Sequence, residues 1–140
     1  MQKRKSILPI VLLMVLFSTG LQGAETTRTY ENRFKVMLDY AIRINEYVRL
    51  HLGDRKLCAY AQQMTKTNAR EAEQMSPPKK YTELHPHFLL VLENVERSFY
   101  YAAEQRLERY RHHQKIVRKE LHILEALADR AGIEPYEYRY

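Results

Sequence analysis

Glycine and proline are scarce in this sequence, whose 140 residues include four Gly and five Pro. Between these few positions the apolar residues recur at intervals of three and four, which is typical of amphipathic helices. Almost nothing in the chain favours strands, and it contains neither an internal repeat nor a low-complexity tract. The scarcity argues against a turn-rich β-fold and predicts an all-α protein.

Cysteine and the common catalytic motifs are also nearly absent. Cys58 is the only cysteine, so an internal disulfide is excluded. We expect a small, semi-buried thiol, with an intermolecular disulfide as the alternative. Beyond residue 23 the only serines are Ser76 and Ser98, and neither stands in a Gly-x-Ser-x-Gly motif. There is no glycine-rich phosphate loop. The sequence therefore predicts no catalytic residues and no enzymatic activity.

The first 23 residues have the layout of a secretory signal peptide. Lys3, Arg4 and Lys5 precede an apolar stretch at residues 7–17, and small residues follow. A membrane-spanning helix needs about 20 apolar residues, so this stretch is short for a span. We expect cleavage before Ala24, a periplasmic or secreted protein, and no transmembrane segment after cleavage.

Removal of the signal peptide changes the charge of the chain. Three of its 23 Lys and Arg lie in that segment, which leaves 20 bases against 17 acids and a net charge of +3. This mild excess is not typical of nucleic-acid binding, and an exported protein is separated from nucleic acid, so no nucleic-acid partner is predicted. A protein partner with an acidic face, or an anionic component of the cell envelope, fits the location better.

The remaining chain suits a single helical domain over residues 24–135, followed by a tail at 136–140. A first helix is predicted from about residue 29 to 52 and a second from about 55 to 75, separated by Gly53 and capped by Asp54. The apolar stripe of each helix contains at least one polar residue. The stripes are Phe34, Leu38, Ala41, Asn45, Val48 and Leu52 in the first helix, and Leu57, Ala61, Met64, Asn68 and Met75 in the second.

The C-terminal half has no Gly or Pro between Pro86 and Ala131, and its stripe continues through the polar stretch LERYRHHQK at residues 107–115. This continuity predicts one long helix over residues 86–131, in an antiparallel bundle with the two shorter helices. The alternative is a four-helix up-down bundle with a break near residues 110–113. The long helix would leave apolar surface uncovered, which favours a homodimer, a coiled-coil contact or a helical partner.

A basic run with interspersed aromatic residues marks the same region as the candidate partner-binding surface. Cationic side chains there would complement an acidic partner, and aromatic side chains would anchor it. The predicted partner-binding residues are Tyr101, Arg106, Tyr110, Arg111, His113 and Arg118.

Histidines supply the alternative function, a haem- or transition-metal-binding bundle. No two of the six have the i, i+3 or i, i+4 spacing of a helical metal site, and the nearest pattern is His85-x-His87. The signal, the helices and the proline-containing central connection resemble the exported b-type cytochrome four-helix bundles. That resemblance implies Met37 with His112 or His113 as haem ligands. Because both histidines lie well before the predicted helix end, no cofactor is predicted, and the weak metal candidates are Met37, His85, His87, His112 and His113.

Overall fold

A computed structural model describes residues 23–133 of the chain, so the predicted signal peptide (except Gly23) and the tail at 136–140 lie outside the described residues. The described part is all helical, as predicted. Its elements are α1 (Thr27–Leu50), α2 (Arg55–Glu73), a 3₁₀ turn (Lys79–Tyr81), α3 (Leu84–Ala103) and α4 (Leu107–Arg130). The helices pack against one another as a bundle around one core.

Side-chain caps fix the starts of the first two helices. The Thr26 hydroxyl accepts a hydrogen bond from the Thr29 backbone N–H, and the Asp54 carboxylate accepts one from Leu57 N at 2.9 Å. These bonds satisfy backbone donors that have no partner within the helix. The turn at Gly53 and the cap at Asp54 confirm the predicted boundary between the first two helices.

The predicted long C-terminal helix is wrong, because the chain turns at residues 104–106 and forms two helices. Gln105 adopts a left-handed conformation with φ 57°. Its backbone N–H donates to Ala102 O, and the next N–H, from Arg106, donates to Tyr101 O at 2.8 Å. These two bonds are the Schellman arrangement that commonly ends a helix. The break also lies before the 110–113 position of the four-helix alternative, and residues 107–115 are the first turns of α4.

Contacts from the α1–α2 turn secure this reversal. The Gln105 side-chain amide donates to Leu52 O at 3.0 Å and to Ala102 O at 2.9 Å. Arg55 Nε donates to Ala103 O at 3.0 Å, at the end of α3. The Gln105 side chain thus bonds one carbonyl that follows α1 and one at the end of α3. Arg55, at the start of α2, bonds a second carbonyl at the end of α3.

The core confirms most of the predicted α1 stripe and shifts that of α2. Met64, predicted to face the core, is 41% exposed, whereas its neighbour Thr65 is fully buried. The buried α2 face carries Cys58, Ala61, Thr65 and Ala72. The Thr65 hydroxyl donates to Ala61 O, so its polar group is satisfied within the helix.

None of the helices within residues 23–133 has the length and the apolarity needed to cross a bilayer.

Candidate functional site

The first half of α4 presents a strongly basic surface to solvent. Between residues 106 and 119 six Lys and Arg stand against a single acid, Glu108. All six are exposed, and we call them the basic face; they are Arg106, Arg109, Arg111, Lys115, Arg118 and Lys119. Because the rest of the chain after residue 23 carries slightly more acids than bases, positive charge is concentrated on this one surface.

Few internal partners neutralise the basic face. Within residues 23–133 its only ion pair joins Arg111 to Glu108 at 3.1 Å, with both side chains largely exposed. Arg106 lies over the ring of Tyr101, with its guanidinium carbon 5.7 Å from the ring centroid. The other four cations make no ion pair with a described residue, so they are available to an external anion.

A polar seam between α3 and α4 supports one edge of the basic face. His113 is 9% exposed, and its Nδ1 lies 2.9 Å from Asn94 Oδ1. Its ring also stacks on Tyr101, with centroids 5.4 Å apart. Burial, together with the charges of His112, Arg97 and Arg109, lowers the pKa of His113 and favours its neutral form.

The structure divides the six predicted partner-binding residues into three groups. Arg106, Arg111 and Arg118 are exposed, and Tyr101 is half-buried under Arg106. Tyr110 and His113 are buried, which removes them from a surface that a partner could contact directly. His113 instead packs in the seam between α3 and α4, where it contacts Asn94 and Tyr101.

An apolar groove runs beside the basic face, between α1 and α4, with α3 as its floor. Its volume is about 350 Å³. Helix α1 packs mainly on α2 and α3, which leaves this space against α4. The apolar lining consists of Ala41 and Ile42 from α1, Val91 and Val95 from α3, and Val117 and Leu121 from α4.

Two amides connect α1 and α4 across the groove. Asn45 Nδ2 donates to Gln114 Oε1 at 3.0 Å, and Gln114 Nε2 donates to Asn45 Oδ1 at 2.6 Å. Gln114 Nε2 also donates to the Ser98 hydroxyl at 2.8 Å, which connects the pair to α3. The sequence places Asn45 on the apolar stripe of α1 but does not predict its role. A polar residue on a buried stripe does indicate that a hydrogen-bond partner lies on another helix.

Three charged residues line the rim of the groove, and Tyr110 lies buried on the same helix as one of them. Glu46, Arg49 and Arg118 line the rim, and Glu46 accepts hydrogen bonds from Arg49. Tyr110 is 4% exposed, and its hydroxyl has no hydrogen-bond partner among the described residues. Burial is the main factor that raises the pKa of Tyr110, and the charge of Arg49 opposes it. The hydroxyl is therefore neutral at physiological pH.

The haem ligands implied by the cytochrome resemblance do not meet in this bundle. The bonds between Asn45 and Gln114 place that level of α4 beside Asn45 in α1. Met37 lies eight residues earlier, about 12 Å along the helix axis. His113 is turned towards α3, where it contacts Asn94. This arrangement does not fit an axial Met–His pair on one haem.

The other histidine candidates also have separate surroundings. His85 Nδ1 lies 3.0 Å from the Tyr30 hydroxyl, whereas His87 Nδ1 lies 2.6 Å from a Glu120 carboxylate oxygen on α4. His112 is exposed. Across residues 23–133 no group of three or more His, Cys, Asp or Glu side chains is arranged to hold a metal ion.

Comparisons of this chain with protein-family models, with curated proteins and with solved structures found no match.

Proposed function

We propose that this chain is an exported, non-catalytic helical protein that binds an acidic surface of a partner protein through the basic face of α4. The observation that carries the proposal is the concentration of six exposed cations between residues 106 and 119, at the N-cap and on the solvent-exposed half of α4, with one ion pair among the described residues. The signal-like sequence before residue 24 supports export. Charge complementarity of this kind accelerates association and orients the partner.

A protein partner suits this surface better than an anionic lipid layer. A helix that lies on a membrane exposes an apolar face next to its basic one. In α4 the apolar stripe is buried in the bundle, through Val117, Leu124 and Ala128. Exposed and half-exposed tyrosines, Tyr100 and Tyr101, lie at the Arg106 end of the basic face and provide the aromatic contacts that protein interfaces favour.

Site-specific photocrosslinking in the native compartment would identify the partner. A photoreactive residue at Lys115 on the basic face is compared with one at Lys66, an exposed position on α2. We expect a protein crosslinked only from position 115. The same crosslinked species from both positions, or anionic lipid alone from position 115, would contradict the proposal.

Binding of the purified partner is then titrated against two charge-reversed variants. One carries Arg109→Glu, Lys115→Glu and Lys119→Glu. The matched control carries Lys56→Glu, Lys66→Glu and Arg70→Glu on α2, which changes the net charge by the same amount. We expect the first variant to lose at least about tenfold in affinity, mostly through slower association, and the control to change by less than about threefold. Equal losses would indicate a general charge effect.

A further inference from the structure

Three cations of the basic face form a row along one edge of α4. Arg111, Lys115 and Arg118 follow one another at intervals of four and three residues, so they project within about 60° of one another around the helix axis. All three are exposed, and we call them the α4 row. Within the described residues Lys115 and Arg118 make no ion pair, and the pair of Arg111 with Glu108 is largely exposed. The row therefore presents a line of positive charge to solvent.

The groove between α1 and α4 opens beside the α4 row. Arg118 belongs to the row and also lines the groove, and Ile42 and Leu121 on its two walls are half-buried. The rim on α1 is close to neutral, because Glu46 and Arg49 form an ion pair there. The apolar surface is thus bounded by positive charge on its α4 side alone.

The groove has room for side chains of a partner but not for a helix. Its volume is about 350 Å³. A helix with its side chains is about 10 Å across, so a single turn would occupy roughly 400 Å³. The bonds between Asn45 and Gln114 hold α1 and α4 at this spacing, so the groove does not depend on a partner. It therefore suits an apolar anchor that projects from a partner lying across its mouth.

The spacing of the α4 row indicates the secondary structure of the partner segment. Successive cations of the row lie about 4.5 to 6 Å apart along the helix axis, and the whole row spans about 10 Å. A helix laid beside α4, with acids at intervals of three and four residues, repeats this spacing. In a strand, side chains on one face recur about every 6.6 to 6.8 Å, so three of them span about 13 Å. A helix therefore matches the row better than a strand.

We propose that the acidic surface recognised by this protein is a helix of the partner, which lies along the α4 row with acidic side chains towards the three cations and an apolar side chain in the groove. This inference rests on the proposed partner-binding function and specifies the partner's contact segment. It also divides the basic face, because Arg109 and Lys119 project from α4 in a direction about 110° from the centre of the row.

Photocrosslinking from the groove tests the position of the partner. A photoreactive residue at Ile42 is compared with one at Val36, which is 67% exposed and lies about 120° from Ile42 around α1. We expect position 42 to capture the same protein as position 115, and position 36 to capture none of it. Capture from position 115 without capture from position 42, or equal capture from positions 42 and 36, would overturn this inference and retain the proposed function. No capture from position 115 would overturn both.

Mass spectrometry of the crosslinked peptides tests the helical form of the segment. Photoreactive residues placed in turn at Arg111, Lys115 and Arg118 should reach partner positions three or four residues apart in one segment. Partner positions two residues apart would indicate a strand, and positions spread over several segments would indicate a diffuse acidic surface. Either of these results would overturn the inference.

Two double variants test the division of the basic face. One carries Arg111→Glu and Arg118→Glu, and its matched control carries Arg109→Glu and Lys119→Glu, with the same change of charge on the same helix. We expect the first to lose at least about tenfold in affinity for the purified partner and the second less than about threefold, with circular dichroism showing both bundles intact. Equal losses would retain the proposed function and overturn the assignment of the partner to the α4 row.

Discussion

Gln105 adopts the left-handed backbone conformation that glycine usually occupies, and α3 ends there. The left-handed region is disfavoured for residues with a Cβ atom by roughly 1–2 kcal/mol. Here the side-chain amide of Gln105 bonds to Leu52 O and Ala102 O, which offsets part of that cost. Gly132 ends α4 with the same pair of backbone bonds and φ 72°, but without a side chain. The same helix end is thus built from two different residues.

Substitution of Gln105 should reveal this compensation. We expect Gln105→Val to lower the free energy of unfolding by about 2 kcal/mol, because a β-branched residue tolerates positive φ poorly and cannot make the two bonds. Glu104→Val, one residue earlier at φ −78°, is the control and should cost less than about 1 kcal/mol. Urea denaturation measures both. Equal effects of the two substitutions would show that the backbone conformation at 105 is not decisive.

Two buried histidines make the stability of the bundle depend on pH. Burial is the main factor that lowers the pKa of both His85 and His113 from the ordinary value of 6.5. Below pH 6.5 these two histidines are therefore protonated in the unfolded chain. In the folded chain they stay neutral until the pH falls to their lowered pKa values. The free energy of unfolding should fall as the pH decreases from 6.5 towards the lowered pKa values. Well above pH 6.5 the two histidines should make no contribution to its pH dependence.

Urea denaturation from pH 7.5 to pH 5 measures this dependence. Replacing His113 with Gln removes one of the two groups and should flatten the curve. His122→Gln, at an exposed position on the same helix, is the matched control. Parallel curves for wild type and the His113→Gln variant would contradict a contribution from the buried ring.

At the scale of the helices, the sequence predicts boundaries well where Gly or Pro marks them. Gly53 separates α1 from α2, Pro77 and Pro78 follow α2, and Gly132 ends α4. The turn at residues 104–106 contains neither residue, and its cause lies in tertiary bonds from Gln105 and Arg55. Hydrogen bonds to a distant turn leave no pattern in the neighbouring sequence. The continuous apolar stripe therefore predicts one helix at a position where the chain reverses.

The candidate site was predictable to a similar degree. Charged residues such as Arg111 and Arg118 remain at the surface in almost any helical arrangement, so the basic face could be recognised from the sequence. The burial of Tyr110 and His113 depends on which neighbour α4 faces, and that was fixed only once the turn at 104–106 was known. The groove required the relative position of three helices and had no linear motif.

The corrected face of α2 gives a prediction about that helix. Met64→Lys should change the free energy of unfolding by less than about 0.5 kcal/mol, because the side chain is exposed. Ala61→Lys, three residues earlier on the same helix, would place an unpaired charge in the core and should cost more than about 3 kcal/mol. Thermal and urea unfolding distinguish the two. A large cost at residue 64 would restore the stripe predicted from the sequence.

At the scale of the whole molecule, the reversal after α3 removes the reason for which a dimer was expected. A single helix over residues 86–131 would extend beyond its two shorter neighbours and leave part of its stripe uncovered. Instead α4 folds back along α3 and buries Tyr110, Val117 and Leu124 within the same chain. The main apolar stripes are thus covered internally, while exposed apolar side chains remain on α1 and α2, among them Val36, Tyr47 and Tyr60.

We therefore predict that the chain over residues 24–140 is monomeric at micromolar concentration. Apolar patches of a few hundred Å² are usual on monomers, and stable dimers generally bury about 800 Å² on each partner. Size-exclusion chromatography with light scattering measures the mass, and Tyr60→Lys tests the exposed α1–α2 surface directly. A monomer of unchanged elution in both proteins is the expected result. A wild-type dimer that Tyr60→Lys dissociates would contradict the prediction and place a self-association surface on the side of the bundle formed by α1 and α2.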